Sequence, residues 1–342
     1  MYKLLQGGVA LVTIKQIAER LGVSISTVSK GLNGASDISP ELSQSILDTA
    51  VEMGYQTKRM KRADSKKLCI FVSNMDYESA NHFAYDVILG FKQAAFRDNW
   101  SVTTLPITYH FQDKEKYDTF MLKNGYSGAF FLGFSLLDAW INQLENTTMP
   151  TVLLDNYIKA NPHVAYVGTD SSEGIDAAIE HLVSLGHRKI AFLNGSPHSM
   201  ITELRQQAFL DSMNEHNIPI IPTLVANGRY DAESARDYVP AFLEQGATAI
   251  LCGTDVIAYG VLKECDRLGY RVPQDISIIG ADDLPLSAHL NIALTTIRQN
   301  RVQLGKLSYI ALDGVMNQVP ISKTLLRPQL IVRNSTAKVV DR

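Results

Sequence analysis

From Thr13 onward, apolar residues recur every three or four positions. Ile14, Ile17, Ala18 and Leu21 share one side of a helix. Thr13 precedes them, and its hydroxyl can accept from a backbone N–H that has no partner within the helix. Gly22 stops the helix, because glycine tolerates the left-handed backbone of a tight turn. Ser24 opens a second helix to about Leu32, with Val28 and Leu32 facing inward and Asn33-Gly34 ending it. Ser39-Pro40 places a cap and a first-turn proline at the start of a third helix. Ile46, Leu47, Ala50, Val51 and Met53 form its apolar side. Two short helices joined by a glycine turn, with a third closing the core, follow the helix-turn-helix plan.

After Lys67 the pattern changes. Short apolar runs ("LCIFVS", "GAFFLG", "TVLLD", "VAYVGTD", "TAILCG", "ISIIGADD") alternate with amphipathic stretches such as "AYDVILGFKQAAFRDN" and "VIAYGVLKECDRLGY". Such alternation predicts an α/β body of parallel sheets with helices on both faces. About ten such strands exceed one comfortable sheet, so two similar lobes are expected. Function in these folds lies at the carboxyl ends of the strands.

Charge sharpens the division. The 342-residue chain has a net charge of −3, yet residues 1–67 hold ten Lys/Arg and six Asp/Glu, giving +4 and leaving −7 for the rest. A basic head on an acidic body suggests a polyanionic partner for the head. The second helix supports this: Ser24, Ser26, Thr27, Ser29 and Lys30 are short hydrogen-bonding residues and a cation. Short donors let a helix sit deep in the major groove, where Lys30 can reach a guanine edge or a phosphate.

The remaining chemistry is mostly exclusion. No run of 18 apolar residues is present, so no membrane association is expected. "MYKLLQGGVALVT" makes a poor secretion signal, so a cytoplasmic protein is expected. Cys69, Cys252 and Cys265 are read as buried free thiols. No dinucleotide fingerprint, Walker loop, HExxH or G-x-S-x-G occurs, so no catalytic residue, cofactor or metal is assigned. Aspartates end several strands: Asp155, Asp170, Asp255, Asp282 and Asp283. Asp170 and Asp255 are read as helix caps, whereas Asp282, after "ISIIGA", can accept from ligand hydroxyls between lobes. A solute-binding protein, or an α/β enzyme acting on a sugar or nucleotide, is the alternative to a DNA-binding protein.

The stretches "TIKQIAERLGVSISTVSKGLNG" and "ISPELSQSILDTAVEMGY" resemble the DNA-binding head of the lac repressor/galactose repressor family. "DSSEGIDAAIEHLVSLGHRKIAFLNG", "RQQAF", "TAILCGTDVIAYG", "RVPQDISIIGADDLPLSAHL" and "LTTIRQNRVQLG" are similar, in order and spacing, to its regulatory core. The resemblance spans Val12 to Ala337. It implies a small all-α helix-turn-helix domain followed by a two-lobed parallel-sheet core like periplasmic binding proteins. It also implies a homodimer, double-stranded operator DNA as partner, and an effector, a saccharide as a family-level expectation, between the lobes.

Carried over by position, Ile25, Ser26 and Lys30 match base-reading positions. Thr13, Ser24, Thr27, Ser29 and Asn33 complete the expected DNA-binding set. Phe83 and Tyr230 match ring-stacking positions, and Arg205 and Asp282 match ligand-binding positions, with Asp155 a further candidate. Thr254 stands where many sugar-binding members have asparagine. The basic run "TKRMKRADSKK" occupies the place of the family's hinge helix, but Thr57 replaces its proline and Asp64 its leucine. Lys58, Arg59, Lys61 and Arg62 are expected at phosphates, and Met60 is the candidate minor-groove wedge. The expected organisation is an extension at 1–11, the DNA-binding domain at 12–57, a basic linker at 58–67, the core at 68–337 and a tail at 338–342. Within the core, one lobe takes about 68–167 and 299–327, the other about 168–298 and 328–337.

Overall fold

The computed structural model describes residues 12–35, 37–55 and 66–339. The head consists of α1 (Ile14–Leu21), α2 (Ile25–Leu32) and α3 (Pro40–Glu52). Thr13 and Gln16 form a reciprocal cap: the Gln16 N–H donates to Thr13 Oγ1 at 3.4 Å and the Thr13 N–H to Gln16 Oε1 at 2.8 Å. Gly22 takes φ 66°, as the turn requires. Ile17, Ala18, Val28, Ile46, Leu47 and Ala50 form the buried centre. Gly31 faces the same way; a Cβ there would lie 2.6 Å from Ile46 Cδ1, so its missing side chain brings α2 close to α3. Lys116 of the body reaches Asp48 of α3 at 3.4 Å.

The body holds two six-stranded sheets. The first contains β1 (Lys67–Val72), β2 (Ser101–Pro106), β3 (Gly128–Leu132), β4 (Thr151–Leu154), β5 (Val164–Thr169) and β11 (Lys323–Leu326), in the order β11-β5-β4-β3-β1-β2. All its pairings are parallel. The second contains β6 (Ile190–Asn194), β7 (Val225–Asn227), β8 (Ala249–Cys252), β9 (Ser277–Asp282), β10 (Thr295–Arg298) and β12 (Gln329–Ile331), in the order β12-β10-β9-β8-β6-β7. Only the β10–β12 pairing is antiparallel. The central strands are buried along their whole length, as expected for sheets covered on both faces.

The chain passes between the sheets after β5, after β10 and after β11. The first passage follows Thr169 rather than a point near 167, because β11 pairs Leu325 with Gly168 and Leu326 with Thr169 and so extends β5. On the first sheet, α4 (Phe83–Arg97) crosses α12 (Arg301–Met316) backbone to backbone. A Cβ on Gly305 would lie 1.9 Å from the Val87 carbonyl oxygen, and one on Gly90 2.1 Å from that of Val302. The three cysteines are buried and unpaired, and burial raises each thiol's pKa. Among the described residues no helix is long and apolar enough to cross a membrane. Lys58, Arg59, Met60, Lys61 and Arg62, with the expected extension at 1–11, lie outside the described residues.

Candidate functional site

Two sites emerge, one on the head and one between the lobes. On the head, Val28 and Gly31 turn α2 inward, which leaves Ser24, Ile25, Ser26, Lys30 and Asn33 exposed. Ile25 is 53% exposed, an unusual position for a large aliphatic side chain unless a partner covers it. Ser24 caps α2 by accepting from the Thr27 N–H at 3.1 Å, and its hydroxyl also meets Ser26 at 2.7 Å and Thr27 at 2.8 Å. Asn33 donates to the Ser29 carbonyl at 2.6 Å. The Lys30 ammonium pairs with Asp37 in the following loop, a contact that pattern reading did not find. Asp37 is thereby held below the usual carboxylate range.

The second site forms where strand ends from both sheets meet. Asp282 closes β9, only 4% exposed, and its Oδ1 accepts from the Gln299 amide at 2.7 Å. Burial pushes its pKa up to about 7, against the pull of Arg205. Asp155 follows β4 at φ 54°; its Oδ1 is sealed from solvent with no hydrogen-bond partner. Burial raises its pKa to about 6, again opposed by Arg205. Arg205 lies in α9 (Met200–Glu215) and donates to the Gly253 carbonyl at 2.8 Å. It makes no ion pair among the described residues, although it lies within electrostatic reach of carboxylates from both sheets. Arg205, Gly253 and Gln299 line a narrow pocket with Thr169, Ser171 and Pro328.

The other expected residues take different places. Tyr230, at φ 64°, lays its ring over Gly195, where a Cβ would lie 2.0 Å from a ring carbon. Its hydroxyl meets Thr202 at 2.7 Å and donates to Ser199 at 3.1 Å. Phe83 begins α4 and is half-buried against the first lobe's core. Asp170 caps α8 (Ser171–Ser184), as expected. Asp255 does not cap its helix. Thr254 is the cap of α11 (Asp255–Arg267), accepting from the Ile257 N–H at 3.2 Å, and Asp255 is the first helical residue. That position points the Asp255 carboxylate into the second lobe, where it accepts from the Leu284 N–H, Ser287 Oγ and Thr296 Oγ1 at 2.6–2.7 Å.

Several residues were missed by pattern reading. Gln299 Oε1, Arg301 Nη1 and Thr169 Oγ1 are, like Asp155 Oδ1, buried without a partner. Buried polar atoms are normally satisfied, so such a concentration between two lobes needs an explanation. Gln299 and Arg301 lie directly after β10, where the strand-end rule could have singled them out.

Residues 13–58 match the family model for bacterial regulatory proteins of the lacI family, and residues 179–336 match the periplasmic binding protein-like domain. The chain is 26% identical to the HTH-type transcriptional repressor PurR of Actinobacillus pleuropneumoniae serotype 3 (strain JL03), over 94% of this chain and 95% of that protein. It is 26% identical to catabolite control protein A of Priestia megaterium, over 92% and 96% respectively. Among solved structures, the lac repressor dimer bound to operator and an anti-inducer superposes with a TM-score of 0.67 at 25% identity, covering 96% of this chain and 99% of that one. The lac repressor bound to ONPG in its repressed state gives 0.66 at 26% identity, covering 95% and 100%. With a helix-turn-helix head and a two-lobed core both matched in order, the chain carries a lacI-family DNA-binding domain followed by a periplasmic-binding-protein-like core, the make-up of DNA-binding transcription repressors with an effector-binding domain.

Proposed function

We propose that the protein is a cytoplasmic homodimeric repressor whose affinity for a near-palindromic operator is set by a neutral saccharide held between the lobes. Ile25, Ser26 and Lys30 read base edges, while Thr13, Ser24, Thr27, Ser29 and Asn33 position the head on the backbone. Two heads address two half-sites, as symmetry requires. The dimer rests on the likeness to the lac repressor dimer and on the outer side of α4, where Tyr85, Leu89 and Phe96 are 39%, 40% and 78% exposed. The basic run from Lys58 to Arg62 contributes phosphate contacts.

One observation carries the choice of effector: the unpartnered buried atoms between the lobes are of both kinds. Asp155 Oδ1 and Gln299 Oε1 accept, Arg301 Nη1 donates, and Thr169 Oγ1 does either. A hydroxyl both donates and accepts, so a polyhydroxylated ligand meets them all. An anionic ligand would face the carboxylates of Asp155 and Asp282. Arg205 offers donors, and Tyr230 and Phe83 offer rings for the apolar faces of a sugar.

The test begins with selection of bound sequences from a random DNA library by the full-length protein, in parallel with Lys30→Ala. A palindrome from the wild type, and about tenfold weaker or relaxed recognition by the variant, is expected. Binding of that palindrome is then measured with neutral saccharides, a uronate and an amino sugar. A response to the uronate alone would overturn the neutral assignment.

A further inference from the structure

The passage from β10 to α12 anchors four consecutive residues. Arg298 Nε donates to Asp283 at 2.7 Å, and Gln299 donates to Asp282 at 2.7 Å, both in the second lobe. Asn300 caps α12 by accepting from the Gln303 N–H at 3.2 Å. Arg301 then reaches into the first lobe, where its Nε and Nη2 both donate to Asp86 Oδ2, at 3.2 and 2.7 Å. Arg301 is 8% exposed, and its remaining group, Nη1, is buried with no partner. A guanidinium presents its donors in a rigid fork, so holding two of them fixes where the third points. Arg301 is near enough to Asp282 to oppose the rise of that carboxyl's pKa, and it also acts on Tyr259 of α11. It therefore stands between the lobes, attached to one and facing the other.

Resting on the interlobe effector site proposed above, we infer that Arg301 is both an effector contact and the link from the crevice to α4. Nη1 donates to an effector hydroxyl, while Nε and Nη2 hold Asp86 in the first turn of α4. Asp86 adjoins Tyr85, where the exposed stripe of Tyr85, Leu89 and Phe96 begins. The glycine contact of Gly90 and Gly305 leaves α4 and α12 no room to slide independently, so movement of Arg301 is passed to α4 as a unit. Effector binding at Asp282 and Gln299 thus reaches the outer face of the first lobe through one side chain.

The experiment compares wild type with Arg301→Lys, Arg301→Met and Asp86→Asn. Operator affinity is measured by anisotropy, without and with glucose, galactose, ribose, cellobiose and galacturonate. Sugar affinity is measured by calorimetry, and folding by melting temperature. Arg301→Lys keeps a cation for Asp86 and cannot also supply Nη1, so it tests the contact even if Arg301→Met folds poorly. For whichever sugar the wild type binds, Arg301→Lys should lose about tenfold in sugar affinity. Asp86→Asn keeps an oxygen that accepts from Nε and Nη2 but removes the charge, so it should lose less sugar affinity than Arg301→Lys while the sugar's effect on operator affinity shrinks by about fivefold or more. Unchanged sugar affinity in Arg301→Lys overturns the contact, and an unchanged operator response in Asp86→Asn overturns the link. If no sugar binds the wild type, the effector assignment fails separately. The link is then read from sugar-free operator affinity, which Asp86→Asn must change by about fivefold; no change overturns it.

Discussion

The head and the crevice handle polar groups in opposite ways. On α2 most of the groups assigned to DNA are exposed, Thr27 and Ser29 being half-buried, and those that have partners find them locally: Ser24 with Thr27, Asn33 with Ser29, Lys30 with Asp37. Nothing is strained before the partner arrives, and each contact is a surface interaction of modest strength. In the crevice, Asp155, Asp282, Gln299 and Arg301 lie at or just beyond strand ends of both sheets, and Asp155 Oδ1 and the other three side chains are held out of water. Their cost shows in the raised carboxyl pKa values. A ligand that satisfies them recovers free energy already spent in folding, which allows a small molecule to bias a large domain. In the proposed function, the head recognises by exposure and the crevice responds through burial.

The largest effect that would break this comparison lies in the head's small core. Val28→Asp places a charge where the wild-type side chain is fully buried, at a cost of about 3 kcal/mol or more. Operator binding should vanish while the body's calorimetric transition stays in place. A body that unfolds as well would show that the two regions are one cooperative unit.

Asp282→Asn comes next. The folded-state pKa of Asp282 is raised to about 7, so its neutral form is favoured by the fold. The favourable contribution is complete below the unfolded value and is lost as pH rises through about 7. The asparagine variant, always neutral, should therefore be more stable than wild type at pH 8. The gain should shrink at pH 5, and the operator response to effector should be lost. An equal gain at both pH values would remove the buried carboxylate as its cause.

The smallest effect sharpens the contrast. Ser24→Ala and Thr254→Ala each remove a helix cap worth about 1 kcal/mol. The first should lower only the head transition and the second only the body transition, as read by calorimetry. A loss of sugar affinity in Thr254→Ala beyond that stability change would make Thr254 an effector contact as well as a cap.

The division into an all-α head and an α/β body was legible because both rest on local rules. The period of apolar residues changes near Lys67, and each head helix begins at a residue whose side chain caps it: Thr13, Ser24 and Ser39. Resemblance then directed attention to Arg205, Asp282 and Asp155. Strand-end aspartates could not be sorted by sequence alone. Asp170 is a cap and Asp255 is an internal tie, because a one-residue shift between Thr254 and Asp255 decides which side chain meets the helix's free N–H groups.

The amino-acid sequence by itself determined the element order, the caps of the three head helices, the basic head and the parallel body, since these depend on neighbours within a few residues. Only the tertiary structure decided which polar atoms lack a partner. Gln299 looks ordinary until β10 carries it to Asp282, and Arg301 until α12 carries it to Asp86, 215 residues away in the chain. Hydrogen bonding is short-ranged and directional, so whether a buried donor is satisfied depends on what folding brings within about 3 Å of it.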